Sequence, residues 1–197
     1  MNTQISTKIA IVGGGPAALL TLKHILKQKY HPHSIYIFEK NDRFGAGMPY
    51  SDLGSLEEHV ANVSANELPE LVYPFKEFIK KNPQQIFEDF ADAEKLNSYQ
   101  VIPRLLLGNY LEDQFIQYIK LAKKEGIKVI AKTNTLVTDI AKLDNDLFKI
   151  STDSDDEIFA DKVIICTGHT WPKIHENKTK GWFDSPYPPS KFNESTN

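Results

Sequence analysis

The chain has 197 residues, 23 of them basic and 26 acidic, for a formal net charge of −3, and this length predicts one domain or one domain with an additional segment. Hydrophobic and charged fractions of 41% and 25% exclude wholesale disorder, and no apolar run approaches the ~18 residues of a membrane span. A single cysteine excludes a disulfide framework and a cysteine zinc site, and the mixed charges exclude a general nucleic-acid binder. The amino terminus lacks a basic-then-apolar leader, so we expect a cytoplasmic protein that handles a small molecule.

The amino-terminal part predicts a strand, a helix and a second strand in succession. Residues 8–12 form an apolar run that stops at three glycines, which is typical of a buried strand entering a turn. Pro16 suits the first position of a helix, and apolar side chains recur at helical spacing through residues 16–29. Residues 34–39 predict the second strand. Such a unit implies parallel strands joined by a right-handed crossover.

The remaining elements follow from helical spacing and from turn residues between apolar segments. Residues 41–66 predict a long loop, and a loop of that length in a compact domain is usually functional. Helical spacing predicts three further helices, at residues 68–81, 84–97 and 104–125. Apolar segments predict five further strands, at 127–131, 135–143, 147–152, 157–160 and 162–168. The middle three are separated by short polar turns and predict a small antiparallel meander, so the fold class is α/β.

The strongest chemical motif is Gly13-Gly14-Gly15-Pro16-Ala17-Ala18, a G-x-G-x-x-A match between a predicted strand and a predicted helix. In this pattern Gly13 allows a tight turn, Gly15 lets a pyrophosphate approach the backbone, and Ala18 permits close packing of helix on strand. The free N–H groups at the start of the helix then face the phosphates. Glu39 follows 21 positions after Ala18, where a carboxylate accepts hydrogen bonds from ribose hydroxyls. The pattern predicts a dinucleotide site, leaves FAD and NAD open, and has a purely connecting glycine turn as its alternative.

Further stretches carry a resemblance to a known family. They are Phe44-Gly45-Ala46-Gly47-Met48-Pro49-Tyr50-Ser51, His59-Val60-Ala61-Asn62-Val63, Pro103-Arg104 with Gly108-Asn109-Tyr110-Leu111, and Val163-Ile164-Ile165-Cys166-Thr167-Gly168-His169. Together with the glycine loop and the meander, they make the chain resemble the two-dinucleotide-binding flavoprotein superfamily and, more narrowly, the bacterial FAD/NAD(P)-binding proteins. The resemblance implies a Rossmann-like parallel sheet with an antiparallel β-meander and FAD as cofactor, with NAD(P)H as a co-substrate.

The resemblance also implies which residues hold the cofactor. The pyrophosphate would contact Gly13, Gly15, Pro16, Ala17 and Ala18, and the adenosine ribose would contact Glu39 with Lys40 beside it. Met48 and Asn62 would lie near the phosphates or the flavin, and Arg104 would reach the pyrophosphate. The backbone of Val137 would touch the adenine, and Thr167 and Gly168 would close over the cofactor. The sequence indicates no catalytic residue and no metal ligands.

We expect residues 1–168 to form the FAD-binding domain and residues 169–197 to be a proline-rich tail or linker. A second G-x-G-x-x-G and a late strand for the ribityl chain are not found, so the sequence resembles the amino-terminal portion of a longer flavoprotein. We therefore expect the chain to fold, to hold FAD weakly, and to form a homo-oligomer or pack against a second domain. The leading function is an FAD-binding oxidoreductase domain that uses NAD(P)H or activates oxygen as a monooxygenase. The alternatives are an NAD(P)-binding dehydrogenase domain and a non-catalytic regulatory module.

Overall fold

A computed structural model describes residues 3–83, 96–154, 156–170, 174–175, 178–180 and 182–196. Its helices are α1 (Pro16–Leu26), α2 (Phe75–Lys81) and α3 (Arg104–Lys124). Its strands are β1 (Thr3–Val12), β2 (Tyr30–Phe38), β3 (Val60–Ser64), β4 (Val101–Pro103), β5 (Lys128–Lys132), β6 (Val137–Lys142), β7 (Phe148–Thr152), β8 (Glu157–Ala160) and β9 (Lys162–Ile165). Within these described ranges, no helix is both long enough and apolar enough to cross a bilayer.

The chain divides into two compact units. The first unit comprises Met1–Gly45 and Leu111–Thr167, and the second comprises Ala46–Tyr110 and Gly168–Asn197. The division falls within α3, whose first seven residues, 104–110, belong to the second unit and whose remaining residues belong to the first.

A four-stranded sheet in the order β5-β2-β1-β9 forms the centre of the first unit, and every neighbouring pair in it is parallel. The three strands β6, β7 and β8 form a separate antiparallel sheet. The predicted α/β class, with a Rossmann-like parallel sheet and a small antiparallel meander, is therefore confirmed.

The core of the first unit follows from the alternation of side chains along the strands, because successive residues of a strand point to opposite faces. Ala10 and Phe38 are buried in one cluster with Ile150 and Ala160 of the meander. Ile11, which alternates with Ala10 along β1, is also fully buried. Burial of both faces explains why the parallel strands read as nearly continuous apolar runs.

The second unit is built around aromatic packing at the start of α3. Tyr110 is 1% exposed and meets the rings of Phe75 and Phe78 edge-on, at centroid distances of 5.4 and 5.6 Å. Its hydroxyl donates to the carbonyl oxygen of Tyr73 (2.7 Å), so the polar end of this buried ring is satisfied. A two-stranded antiparallel ribbon of β3 and β4 belongs to the same unit.

Several predicted boundaries were wrong for identifiable reasons. The strand β2 begins at Tyr30 rather than 34, because residues 30–32 extend the parallel pairing to residues 3–5 of β1, and α1 correspondingly ends at Leu26. The helix predicted from residue 68 begins only at Phe75, since Pro74 stands at its N-cap and the residue before a proline disfavours helix. The loop predicted over 41–66 contains β3, whose partner β4 lies about 40 residues away. Residues 84–95 of the helix predicted at 84–97 lie outside the described residues.

Candidate functional site

The carboxyl ends of three parallel strands meet at one edge of the first unit's sheet. Val12 at the end of β1 is in register with Phe38 of β2 on one side and with Ile165 of β9 on the other. Because the chain leaves β1 toward β2 and returns later on its other side, this edge is a topological switch point, where open α/β sheets bind ligands. Gly13, Glu39 and Cys166, the first residues after these three strands, therefore lie at the same edge of the sheet.

The glycine loop after β1 makes a tight turn and leads directly into α1. Gly13 has a φ of +98°, and a Cβ on it would lie 2.3 Å from the carbonyl oxygen of Cys166. Gly15 has φ −79° and ψ −164° and provides no side-chain cap for α1. The N–H groups of Ala17 and Ala18 fall in the first turn and have no intrahelical acceptor, and that turn holds no acidic side chain. Ala18 is fully buried, whereas Pro16 and Ala17 are at least partly accessible.

Glu39, directly after β2, is the most constrained polar group at this edge. It is only 6% exposed, and its two carboxylate oxygens accept hydrogen bonds from the N–H groups of Gly14 (2.7 Å) and Asn41 (2.9 Å). Its own backbone is also held, since its N–H donates to Lys132 and its carbonyl accepts from Thr135, both at 2.9 Å. The carboxylate is therefore locked against the glycine loop, with lone pairs remaining for further donors.

Gly14 contributes to this edge although the sequence motif treats its position as variable. A Cβ on Gly14 would lie 2.6 Å from Cδ1 of Phe44 and 2.8 Å from the Cβ of Glu39. Its carbonyl oxygen also accepts from the N–H of Gly45 (2.7 Å). Sequence reasoning missed this residue, and the signal that could have found it is a run of three consecutive glycines where the motif requires only the first and the third.

The segment after Glu39 is anchored to α3. The ring of Phe44 stacks on Phe115 with centroids 5.0 Å apart and an interplanar angle of 12°. Arg43 forms an ion pair with Glu112 at 2.6 Å. Gly45 has a φ of +85°, and a Cβ on it would lie 2.4 Å from the carbonyl oxygen of Leu111, so only glycine allows this approach.

The other predicted residues of the first unit have less defined settings. Lys40 is exposed beside Glu39, and Thr167 is exposed just after the end of β9. Val137 begins β6, where its side chain packs against the core cluster of Phe38 and Ile150.

Burial raises the pKa of the Cys166 thiol, and a hydrogen bond with the Thr21 hydroxyl (4.0 Å) offsets that effect only in part. The thiol is therefore protonated at neutral pH and is a poor nucleophile.

The second unit holds the remaining predicted residues, Met48, Asn62, Arg104 and Gly168. The N–H of Arg104 donates to the carbonyl of His59 (2.9 Å), and its Nε donates to the carbonyl of Val60 (3.0 Å). The second bond orients the guanidinium, and among the described residues its two terminal nitrogens make no hydrogen bond or ion pair. Asn62 is exposed in the middle of β3, and Met48 packs against Gly54, whose Cβ position lies 2.6 Å from the Met48 sulfur. Gly168 has a φ of +72° with open space beside it.

Comparison with known proteins identifies relatives over most of the chain. The chain is 36% identical over 183 residues to the uncharacterized protein YdhS of Escherichia coli K12, covering 91% of this chain and 34% of that protein. It is 23% identical over 190 residues to the flavin-containing monooxygenase FMO GS-OX3 of Arabidopsis thaliana, covering 92% of this chain and 40% of that protein. The chain thus spans between about a third and two fifths of the length of these curated relatives.

A solved structure and a family model also match most of the chain. The fold resembles that of OTEMO in complex with FAD and NADP, with a TM-score of 0.55 and 12% identity, over 89% of this chain and 29% of that one. At this identity the likeness shows the shared fold. The model of a family described as FAD-NAD(P)-binding matches residues 10–170, which is most of the chain. The glycine loop, the carboxyl ends of β1, β2 and β9, and the carboxylate after β2 lie within the matched region, and the chain belongs to the FAD-NAD(P)-binding family.

Proposed function

We propose that this chain is the FAD-binding domain of a flavin-dependent oxidoreductase, with the cofactor's pyrophosphate over the Gly13–Ala18 loop and its adenosine ribose on Glu39. The observation that carries the proposal is the hydrogen bond between the Gly14 N–H and the Glu39 carboxylate. It joins the phosphate loop and the ribose acceptor into one unit, at the sheet edge where α/β folds bind nucleotides.

The residues present fit an adenosine diphosphate group. The first-turn N–H groups of α1 offer uncapped donors for a pyrophosphate, and Gly15 adds no side chain that would block its approach. Gly15 has an extended backbone that any residue can adopt, so its conformation does not require glycine. We attribute the glycine at this position to the close approach of the proposed pyrophosphate to the backbone. The Glu39 carboxylate accepts two backbone amides and retains acceptor capacity for two ribose hydroxyls.

Arg104 is the residue of the second unit that best suits an anionic ligand. Its guanidinium is oriented by its bond to the Val60 carbonyl, which lowers the entropic cost of a charge-assisted contact. We propose that it contacts the pyrophosphate, and that Met48 and Asn62 lie near the phosphates or the flavin. Lys40 would lie beside Glu39 at the adenosine ribose, the backbone of Val137 would touch the adenine, and Thr167 and Gly168 would close over the cofactor.

FAD is favoured over NAD as the resident cofactor by the relatives that share this architecture. One relative is named a flavin-containing monooxygenase, and one structural neighbour contains both FAD and NADP. A bound flavin would supply the redox chemistry, by exchanging electrons with a nicotinamide or with oxygen. The residues of this chain would bind the cofactor and orient it. Monooxygenase activity of a whole protein containing this domain is part of the proposal.

Titration of the purified chain tests the assignment. FAD binding is followed by the quenching of flavin fluorescence, and ADP, NADH and riboflavin are titrated separately by calorimetry. We expect FAD and ADP to bind and riboflavin, which lacks the adenosine diphosphate, to bind far more weakly. Binding of NADH with no binding of FAD would favour the dehydrogenase alternative. Failure of both ADP and FAD to bind would overturn the site.

A further inference from the structure

The middle glycine of the phosphate loop has a role that the G-x-G-x-x-A pattern does not assign. We infer that Gly14 is a positioning residue, which holds the Glu39 carboxylate for the ribose and makes no contact with the pyrophosphate. The inference rests on the proposed function of the same site.

The backbone polar groups of Gly14 are both hydrogen-bonded within the protein. Its N–H donates to Oε2 of Glu39 (2.7 Å), in a buried bond, and its carbonyl accepts from the N–H of Gly45 (2.7 Å). Both polar groups of this residue are therefore used by the segment from Glu39 to Gly45. An N–H already bonded to a carboxylate has no proton to offer a phosphate oxygen.

Gly14 is a glycine for steric reasons. Unlike Gly13 and Gly45, it is not in the left-handed region, so an alanine would suffer no backbone strain there. A Cβ would instead lie 2.6 Å from Phe44 and 2.8 Å from Glu39, closer than real Cβ contacts allow. The missing side chain is what lets the glycine loop approach the carboxylate.

The neighbours of Gly14 cannot easily move aside. The backbone of Glu39 is held on both sides by bonds to Lys132 and Thr135, and the ring of Phe44 is stacked on Phe115. The loop itself continues into α1, where the Gly15 carbonyl accepts from the N–H of Leu19 (3.1 Å). We therefore expect an alanine at position 14 to push the Glu39 carboxylate out of its place beside the ribose, while the N–H groups of α1 keep theirs.

Two ligands that differ only in the ribose separate this role from phosphate binding. The wild-type chain and Gly14→Ala are titrated with ADP and with 2′,3′-dideoxy-ADP. We expect Gly14→Ala to weaken ADP binding about tenfold, as expected for one charge-assisted hydrogen bond, and to leave dideoxy-ADP binding within about twofold. Gly15→Val should weaken both ligands. Gly126→Ala, a control with φ +82° and open space at its Cβ, should change neither.

Hydrogen exchange of the Gly14 amide gives a second test, in which the three glycines of the loop are left unsubstituted. Hydrogen exchange of the Gly14 amide should accelerate by about tenfold or more in Glu39→Ala, because its buried acceptor is lost. Equal weakening of ADP and dideoxy-ADP by Gly14→Ala would overturn the inference, as would slow Gly14 exchange retained in Glu39→Ala. Failure of the wild-type chain to bind either nucleotide would instead overturn the proposed function, and the inference with it.

Discussion

Replacement of Glu39 by alanine is expected to weaken both the fold and dinucleotide binding, because the carboxylate accepts two backbone hydrogen bonds and is proposed to accept from the ribose as well. In the free chain it accepts hydrogen bonds from the backbone N–H groups of Gly14 and Asn41. In the proposed complex its remaining lone pairs accept from the ribose hydroxyls. Alanine removes all of these acceptors at once and adds no new interaction.

The expected magnitudes follow from the number of hydrogen bonds lost. Loss of the charge-assisted bonds to ribose should cost about 1–3 kcal/mol of binding free energy, which corresponds to about 5–150-fold in Kd. The free energy of unfolding should fall by about 1–3 kcal/mol, because the buried N–H of Gly14 and the half-buried N–H of Asn41 lose their acceptor. Water that enters the vacated space offsets part of this cost. Removing the carboxylate should leave the proposed phosphate contacts of the Gly13–Ala18 loop unaffected.

Calorimetric titration with ADP and urea unfolding measure these two quantities on the same samples. A matched control is Glu57→Ala, which removes an exposed carboxylate of the second unit and should change neither quantity. Unchanged ADP affinity in Glu39→Ala, alongside measurable binding by the wild-type chain, would show that the ribose does not contact this carboxylate. Unchanged stability would show that its bonds to the two amides contribute nothing net.

Three further outcomes are expected. Gly15→Val should reduce ADP and FAD affinity by about tenfold or more, because the side chain would occupy the space that the proposed pyrophosphate needs, while φ −79° adds no backbone strain. A folded variant with full affinity would contradict the phosphate assignment. Gly13→Ala should lower the free energy of unfolding, measured by urea titration, by about 2–5 kcal/mol. The alanine would have to adopt a φ of +98°, and its Cβ would overlap the carbonyl oxygen of Cys166. An unchanged unfolding midpoint would refute this. Hydrogen bonds from the Ser64 hydroxyl and N–H hold the pKa of Glu67 below its ordinary value of 4.5, so its stabilisation is present above that value and is lost as pH falls through the lower, folded pKa. Thermal unfolding should therefore show Glu67→Gln slightly less stable than wild type at pH 7, with the difference shrinking as the pH is lowered below 4.5; a difference that does not change with pH would contradict this.

The elements that could be predicted from the sequence are those whose signals are local. The β1–α1 unit was predicted because an apolar run, three glycines and Pro16 follow one another directly. The strands of the meander were predicted within two residues because polar turns separate short apolar segments. Glu39 is predictable as a ribose acceptor because it stands at the end of the second predicted strand, 21 positions after Ala18.

The failures fall where the deciding partner is distant in the chain. The pairing of β3 with β4 joins Val60 to Pro103, and no feature of residues 41–66 alone indicates a strand there. The first residues of β2 include Pro32, which reads as a helix terminator in sequence and becomes extended because it pairs with Ile5 of β1.

The sequence by itself determined the order of elements in the amino-terminal unit, the meander, and the dinucleotide motif, because periodicity and turn chemistry act over a few neighbouring residues. Only the tertiary structure decided that β9 lies beside β1 and that the Glu39 carboxylate bonds to the Gly14 N–H. Both contacts join residues 25 or more positions apart, and their geometry depends on strand register and on the missing Cβ at position 14. Local preferences along the chain carry no information about such distances, since these are set when the packed elements bring the two backbones together.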